Sequence, residues 1–285
     1  MKKEAVKKPK RRMPLKNFIR IYGRMIIGGS IIAVVVFCAI FRDFLVPFDP
    51  FEIHYLDRFQ TPNSTYLLGT DALGRDMLSR VIWGARDAVI LGIGVQLFGV
   101  LIGAICGAIC GYYKKVDLVL MRVMEGLSAI PSLLLLMIIV AIVGSGIPSV
   151  MIALIVGQVP GVCRMTRSRV LSLRQKEFIE AEKTMGASTL RILIMHILPS
   201  CIDYLAIRFC SGIGGAITST AGLAYLGVGL DPTAPNWGSM VNQGQDYFTM
   251  HPHMIIVPGL VITIVVFGFV FFGEGLREKL DPKLK

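Results

Sequence analysis

The sequence predicts an all-α integral membrane protein with about six transmembrane helices. Of its 285 residues, 54% are hydrophobic and 17% are charged, whereas charged residues make up about a quarter of a typical soluble domain. Six apolar segments approach the length of roughly 20 residues that a helix needs to cross a bilayer core. Lys and Arg concentrate in alternate connections between these segments, as they do in multi-pass membrane proteins.

The predicted spans follow a basic leader, residues 1–24, and are separated by connections of unequal length. They cover residues 25–41, 88–112, 124–143, 147–162, 204–226 and 254–272. Residues 42–87 connect the first span to a core domain, residues 88–285, that holds the other five. The first apolar segment ends without a small-residue cleavage site, so we interpret it as a retained anchor and not as a signal peptide.

The distribution of basic residues predicts the orientation of the bundle. Ten of the 30 Lys and Arg residues lie in the leader and seven lie between Arg164 and Arg191, whereas residues 227–253 contain none. Cytoplasmic connections carry the excess of Lys and Arg, so both termini are expected in the cytoplasm and residues 42–87 outside. A basic leader beside an apolar span suits anionic lipid headgroups, and it argues against nucleic acid as a partner.

Charged residues within the spans are confined to the ends of the helices. No acidic residue or histidine falls at mid-depth, where a proton relay would need one. Gln96 and Gln158 are the most polar mid-span residues, and each could line a pathway or bond a neighbouring helix. Asp203 and Arg208 lie at the inner end of the fifth span and could reach the interface by snorkelling. The six cysteines lie in or beside apolar segments and are interpreted as small buried hydrophobes.

Glycine recurs every fourth residue along the second span, at Gly99, Gly103, Gly107 and Gly111. Membrane helices have little hydrophobic drive to associate, so close backbone approach through small residues is a common source of packing energy. The stripe therefore predicts tight contact with another helix. The fifth span is also rich in small and hydroxylated residues, which suit either helix packing or the polar wall of a pathway.

The connection 164–199 is long and polar and has a helical pattern. Three apolar residues share one side of its first predicted helix, whose remaining surface is charged: Phe178, Ala181 and Met185. Gly186 can end this helix in the left-handed conformation. Ser188 is placed to cap a second helix, residues 190–198, which Pro199 would end. The pattern predicts two short helices joined by a glycine turn on the inner membrane face, where a soluble partner could bind.

This connection resembles the signature loop of ABC importer permeases. The family pattern is Glu-Ala-Ala, three residues, Gly, nine residues and Ile-x-Leu-Pro. The sequence departs from it at Glu182, where the family has alanine, and at His196, where the general pattern has isoleucine and the peptide-type branch often has histidine. In the family this loop docks on the ATPase subunit, and the resemblance places Glu180 and Gly186 at that contact. The coupling loop it implies contains Phe178, Glu180, Ala181, Glu182, Met185, Gly186, Ala187, Ser188, Arg191, Leu198 and Pro199.

Three further motifs narrow the resemblance to the dipeptide, oligopeptide and nickel importers of bacteria. Residues 68–80 resemble their Leu-Gly-Thr-Asp-x-x-Gly-Arg-Asp segment, residues 225–238 their Leu-Gly-x-Gly…Pro…Trp-Gly segment, and residues 276–282 their Leu-Arg-Asp-x-Leu-Asp-Pro ending. The motif residues are Gly69, Thr70, Asp71, Gly74, Arg75, Asp76, Gly227, Gly229, Trp237 and Gly238. The sequence is most similar to the second, C-type permease of such importers, a multi-pass subunit of the inner membrane.

The resemblance implies the type I ABC importer permease fold and a complex of several proteins. The expected partners are a second homologous permease, two ATPases, an external substrate-binding protein and the lipid bilayer. The chain lacks the Gly-x-x-x-x-Gly-Lys-Ser/Thr pattern that cradles nucleotide phosphates, so ATP and magnesium are expected on the ATPases, with no cofactor or catalytic residue in this chain.

Peptide is the expected substrate, and nickel or a metal–metallophore chelate is the alternative within the same architecture. An ion-coupled secondary transporter would usually need charges within the membrane. A membrane enzyme would need more than His251 and His253, which have no third metal ligand nearby in the sequence.

Overall fold

The computed structural model describes residues 15–280, with side chains from Tyr22 onward. In this part of the chain the regular structure is helical, apart from one isolated bridge between Thr70 and Asp76. Its α-helices are α1 (Leu15–Leu45), α2 (Met77–Tyr112), α3 (Lys114–Ala129), α4 (Ser132–Val143), α5 (Ile147–Arg174), α6 (Glu177–Thr184), α7 (Thr189–Ile192), α8 (Ile202–Tyr225), α9 (Trp237–Gly244) and α10 (His253–Leu280). Residues 1–14 of the predicted leader and the end of the 276–282 motif lie outside the described residues.

Among the described residues, five helical segments are long and apolar enough to cross a membrane, and they contain α1, α2, α5, α8 and α10. The predicted third span, residues 124–143, is wrong as a single helix, because α3 and α4 meet there at an angle of 99°. Pro131 cannot donate a backbone hydrogen bond, and it restricts the preceding Ile130 to an extended conformation, with φ −83° and ψ 131°. The six predicted spans thus correspond to five long helices and one bent pair.

The first two spans are longer than the hydropathy pattern predicts. α1 covers Leu15–Leu45, beyond both ends of the predicted span 25–41. α2 begins at Met77, so the last part of the predicted connection 42–87 is helical. The Asp76 carboxylate caps α2 by accepting the backbone N–H of Ser79 at 2.8 Å, which fixes the start of the helix before its apolar run begins.

α5 continues to Arg174, so the predicted loop 164–199 begins later than expected. The basic residues that indicated a loop bind neighbouring helices instead. Arg167 forms a bidentate ion pair with Asp117 of α3, and Arg174 donates to the backbone carbonyl of Tyr112 at 3.1 Å. Because these partners satisfy the charges, the helix can extend past its apolar segment without leaving the bundle.

The helices define two ends of the bundle. Arg24, near the start of α1, binds Glu274 and Glu278 of α10 at 3.3 and 3.0 Å, so these helices run antiparallel. The end of α2 lies beside the end of α5, since Gly111 packs against Val170. We call the end that contains the start of α1 and the end of α10 the terminal end, and the opposite end, with residues 46–76 and 226–252, the far end.

α2 and α5 pack closely along the predicted glycine stripe, which consists of Gly99, Gly103, Gly107 and Gly111. A Cβ atom added to Gly103 would lie 2.6 Å from Cβ of Val162, and one added to Gly107 would lie 2.5 Å from the carbonyl oxygen of Cys163. The other two glycines approach α5 just as closely. Any larger residue would force the two helices apart. We call this contact the α2–α5 seam.

Candidate functional site

A loop of short helical turns, residues 175–201, lies at the terminal end and joins α5 to α8. α6 is followed by Gly186, which has φ +81° and no neighbouring heavy atom within 4 Å of the position that a Cβ would take. The backbone conformation, and not crowding, therefore favours glycine here. Ser188 then caps α7, because its hydroxyl accepts the backbone N–H of Arg191 at 3.3 Å.

One side of the loop is anchored to the bundle. Ile179, Ile192 and Ile197 are fully buried and belong to a cluster with Ala108 of α2 and Val170 of α5. Burying an isoleucine side chain stabilises a fold by about 1.5–3 kcal/mol. The loop is therefore held in a defined position against α2 and α5.

The opposite side of the loop exposes apolar residues. Phe178 is 45% exposed and Met185 is 73% exposed, and Ala181 lies exposed on the same helix. Glu180 is exposed beside them, and within residues 22–280 its carboxylate has no ion-pair partner. An apolar patch rimmed by charged groups is typical of a protein-binding surface. Sequence reasoning grouped the three apolar residues, and the structure shows that they face outward.

The two departures from the family pattern contact each other. Oε1 of Glu182, on α6, lies 3.3 Å from Nε2 of His196 in the second half of the loop. The pair joins the two halves across the Gly186 turn. Sequence reasoning treated these residues separately and missed the pair, because their contact depends on the geometry of the turn between them.

The second half of the loop differs from the prediction of a helix over residues 190–198 that ends at Pro199. α7 ends at Ile192, and a π-helical turn leads through a 3₁₀ turn into α8. The backbone N–H of Leu198 donates to the carbonyl of Leu193 at 2.9 Å, which is the i→i+5 bond of a π turn. Pro199 then begins the 3₁₀ turn, where its missing N–H removes no hydrogen bond. The proline is therefore accommodated, and the chain enters α8 without a break.

The 68–80 motif forms a tight turn at the far end. Asp71 is buried, and its carboxylate accepts the N–H of Leu73 at 2.8 Å and Nε of Arg75 at 2.7 Å. Gly74 has φ +80°, and a Cβ there would lie 1.9 Å from the carbonyl oxygen of His54, so only glycine fits. The remaining motif residues have local roles: Gly69 has a positive φ, Thr70 is buried and Asp76 caps α2.

The 225–238 motif packs against this turn and against α2. Trp237 is buried, and its Nε1 donates to the carbonyl of Val81 at 2.9 Å. A Cβ on Gly238 would lie 2.2 Å from a carbonyl oxygen of α8. Nη2 of Arg75 donates to Oε1 of Gln243 at 3.0 Å, so the turn is bonded to α9, the helix that begins at Trp237. Gly227 and Gly229 have φ values of +72° and +91°.

Arg80 is the last residue of the 68–80 motif, and its burial is a feature that sequence reasoning missed. It is fully buried, its guanidinium lies 3.7 Å from the Asp71 carboxylate, and its Nη1 donates to the carbonyl of Pro50 at 3.1 Å. The Asp71 carboxylate compensates part of this buried charge, whereas Nε and Nη2 of Arg80 are buried without a hydrogen-bond partner among the described residues. The position of Arg80, one turn inside α2, does not indicate in the sequence that its side chain is buried, because the burial depends on the preceding connection folding over it.

An open groove of about 250 Å³ lies between α8 and the helices α2 and α5. Its lining includes Gln96, Gln158, Arg208, Ser211, Gly215 and Ser219. Nε2 of Gln96 donates to the carbonyl of Gly212 at 2.9 Å, and Nε2 of Gln158 donates to the carbonyl of Val95 at 2.5 Å. Each glutamine thus bonds a neighbouring helix, as one of the two predictions states, and each also lines the groove. Their Oε1 atoms are buried without a hydrogen-bond partner among the described residues.

Comparisons with known proteins agree with this geometry. Residues 99–285 match the family described as the binding-protein-dependent transport system inner membrane component. The glutathione transport system permease protein GsiD of Pectobacterium atrosepticum is 36% identical over 279 residues, which cover 96% of this chain and 93% of the relative. GsiD of Escherichia coli is 36% identical over 285 residues, which cover 98% and 94%.

A solved structure of the MetNI methionine ABC transporter in an inward-facing conformation is similar in fold. The TM-score is 0.58 at 20% sequence identity, over 72% of this chain and 98% of that chain. This likeness confirms the all-helical importer permease fold that the sequence predicts. The family match and the GsiD relatives place the chain among ABC transporter permease subunits, a non-catalytic family of membrane components. The chain belongs to the binding-protein-dependent transport system inner membrane components, and it is a multi-pass inner-membrane permease subunit of a bacterial ABC importer.

Proposed function

We propose that this permease imports small peptides, of which glutathione is one, as part of an ATP-driven complex. The observation that carries the substrate class is its 36% identity to GsiD glutathione permeases along 96–98% of its length. A second homologous permease completes the pathway, two ATPases bind ATP and magnesium, and an external binding protein delivers the solute. The names of these relatives favour peptide over nickel or a metal–metallophore chelate.

The terminal end faces the cytoplasm in this proposal, and the loop 175–201 binds an ATPase. The exposed Phe178 and Met185, with Glu180 beside them, supply the contact. Force applied to the loop would pass directly into the bundle, because the loop is continuous with α5 and α8 and is anchored by buried isoleucines. Movement of α8 would then alter the groove that it shares with α2 and α5.

The test is affinity purification of the tagged chain in mild detergent, followed by identification of the bound subunits and assay of ATPase activity with loaded binding protein. We expect a second permease and two ATPases. Met185→Asp places a charge in the exposed apolar patch, so it should release most of the ATPases while the second permease stays bound.

Met250→Asp is the matched control, because Met250 is a methionine of similar exposure, 81% against 73% for Met185, at the far end. It should leave the ATPases bound. A chain that purifies alone and transports without ATP would contradict the proposal. Titration of the binding protein with glutathione, nickel chloride and a nickel chelate would separate peptide import from metal import.

A further inference from the structure

The groove between α5 and α8 widens towards the terminal end, where arginines gather. Its wider part, about 550 Å³, is lined by Arg169 of α5, Arg208 of α8 and Arg277 of α10. Arg208 and Ser211 line both this part and the narrower part described above, so the two parts of the groove adjoin at these residues. From Ser219 to Arg208 the narrower part follows α8 for roughly 17 Å, at 1.5 Å per residue.

The positive charge in the groove is largely uncompensated. Within residues 22–280, none of the three guanidinium groups forms a salt bridge or donates a hydrogen bond, whereas Arg24, Arg75 and Arg167 all pair with carboxylates. Asp203 is the acidic residue in the lining, and Arg169 lies 5.7 Å over the ring of Tyr204. Three cations and one anion therefore face the same open space.

Arg208 differs from an arginine that merely snorkels to the interface. It lies six residues inside α8, about 9 Å from the start of the helix, and it is half-buried in the groove. An ionisable residue within a membrane span is costly, and where it faces a water-filled cavity it usually marks a solute path. The planar guanidinium matches a carboxylate and can bind it through two hydrogen bonds.

We propose that Arg208 binds a carboxylate of the transported solute, and that the α5–α8 groove is the wall this subunit contributes to the pathway. The inference rests on the proposed function and deepens it, because it specifies a solute that carries a carboxylate. A free metal dication is repelled by the three arginines. The unpaired amide oxygens of Gln96 and Gln158 lie in the same wall, where N–H groups of a passing peptide can pair with them once the groove opens.

The first part of the test measures the groove directly in the purified complex. Ser211→Cys places a thiol one helical turn from Arg208, and site-resolved mass spectrometry follows its modification by anionic and cationic methanethiosulfonate reagents. We expect faster reaction with the anionic reagent. Adding Arg208→Gln should lower the anionic-to-cationic rate ratio about tenfold, the effect of removing one charge roughly 6 Å away in water. An unreactive thiol, or a ratio that Arg208→Gln leaves unchanged, would overturn the inference.

The second part measures uptake of glutathione into proteoliposomes that contain the whole complex, with binding protein loaded beforehand. Arg208→Gln should lower uptake about tenfold, as expected for a lost charge-assisted hydrogen bond, and Arg208→Lys should restore part of it. Arg122→Gln is the control, since Arg122 is an exposed arginine of α3 paired with Glu125 at 2.9 Å, and it should transport normally.

The two parts separate the possible failures. Normal uptake by Arg208→Gln would overturn the role of Arg208 while the proposed function stands. A wild-type complex that takes up no glutathione, but shows the expected rate ratio, would contradict the proposed substrate and support an anion-selective groove. If Arg208→Gln does not assemble, the anionic preference of Ser211→Cys alone and the uptake by Arg208→Lys decide the question.

Discussion

The α2–α5 seam and the loop 175–201 both depend on glycine, but each uses a different property of that residue. In the seam, Gly103 and Gly107 are helical, and a Cβ would lie 2.6 and 2.5 Å from atoms of α5. In the loop, Gly186 has φ +81° and open space around the missing Cβ. The seam needs a residue without a side chain, whereas the loop needs a residue that accepts a left-handed backbone.

These two uses of glycine predict different effects of mutation: on the stability of the bundle in the seam, and on the proposed coupling to the ATPase in the loop. Close packing holds α2 against α5, so a change in the seam acts first on the folded state of the bundle. The Gly186 turn contributes little packing of its own, but it orients α6, which carries the exposed Phe178, relative to α7, which carries the buried Ile192. A change there should act on the proposed contact with an ATPase while the bundle stays folded.

The largest expected effect is in the seam. Gly103→Ala should lower the free energy of unfolding by about 1–3 kcal/mol, the usual cost of forcing an extra carbon into a packed interface. Unfolding by sodium dodecyl sulfate in mixed micelles, followed by circular dichroism, would measure it.

Gly161→Ala on α5 is the matched control for the seam, because no heavy atom lies within 4 Å of its missing Cβ. Its unfolding free energy should be unchanged or slightly higher, since alanine favours the helix by up to about 1 kcal/mol over glycine. Equal losses from Gly103→Ala and Gly161→Ala would show that close approach to α5 is not the reason for the stripe.

A smaller change in stability but a clear loss of transport is expected in the loop. Gly186→Val should reduce ATP-driven uptake about tenfold, because a β-branched residue is strained by at least roughly 1–2 kcal/mol in the left-handed region. Gly186→Asn should retain most of the uptake, since asparagine enters this region more readily. Normal uptake by Gly186→Val, measured in proteoliposomes with equal amounts of inserted protein, would contradict the coupling role of the turn.

The features that the sequence predicts well are those that depend on near neighbours. Apolar length indicated the spans, and the spacing of Gly99 to Gly111 indicated a helix face whose partner the structure identifies as α5. The Gly186 turn and the Ser188 cap also involve only adjacent residues. In each of these cases the pattern that allows the prediction lies within one continuous segment of the chain.

The features that were missed depend on residues far apart in the chain. The C-terminal end of α5 was misplaced because the Asp117 and Tyr112 partners of its arginines belong to other helices. Hydropathy gave a single third span because it averages over the break at Pro131. Arg208 was expected at the interface, and its place in a groove became visible only when α5, α8 and α10 were packed together.

The smallest expected effect lies between Glu182 and His196, and it tests whether the two halves of the loop act as one body. Their side chains are 24% and 31% exposed, so a coupling energy of about 0.2–1 kcal/mol is expected for this partly solvated pair. Glu182→Ala and His196→Ile should each lower uptake about twofold. The double variant restores the general family pattern, and its uptake should return to that of the wild type, because replacing both polar partners with apolar groups is nearly neutral. A double-mutant cycle on uptake and on unfolding free energy measures the coupling. If the double variant shows the sum of the two single losses, the two halves of the loop transmit force independently.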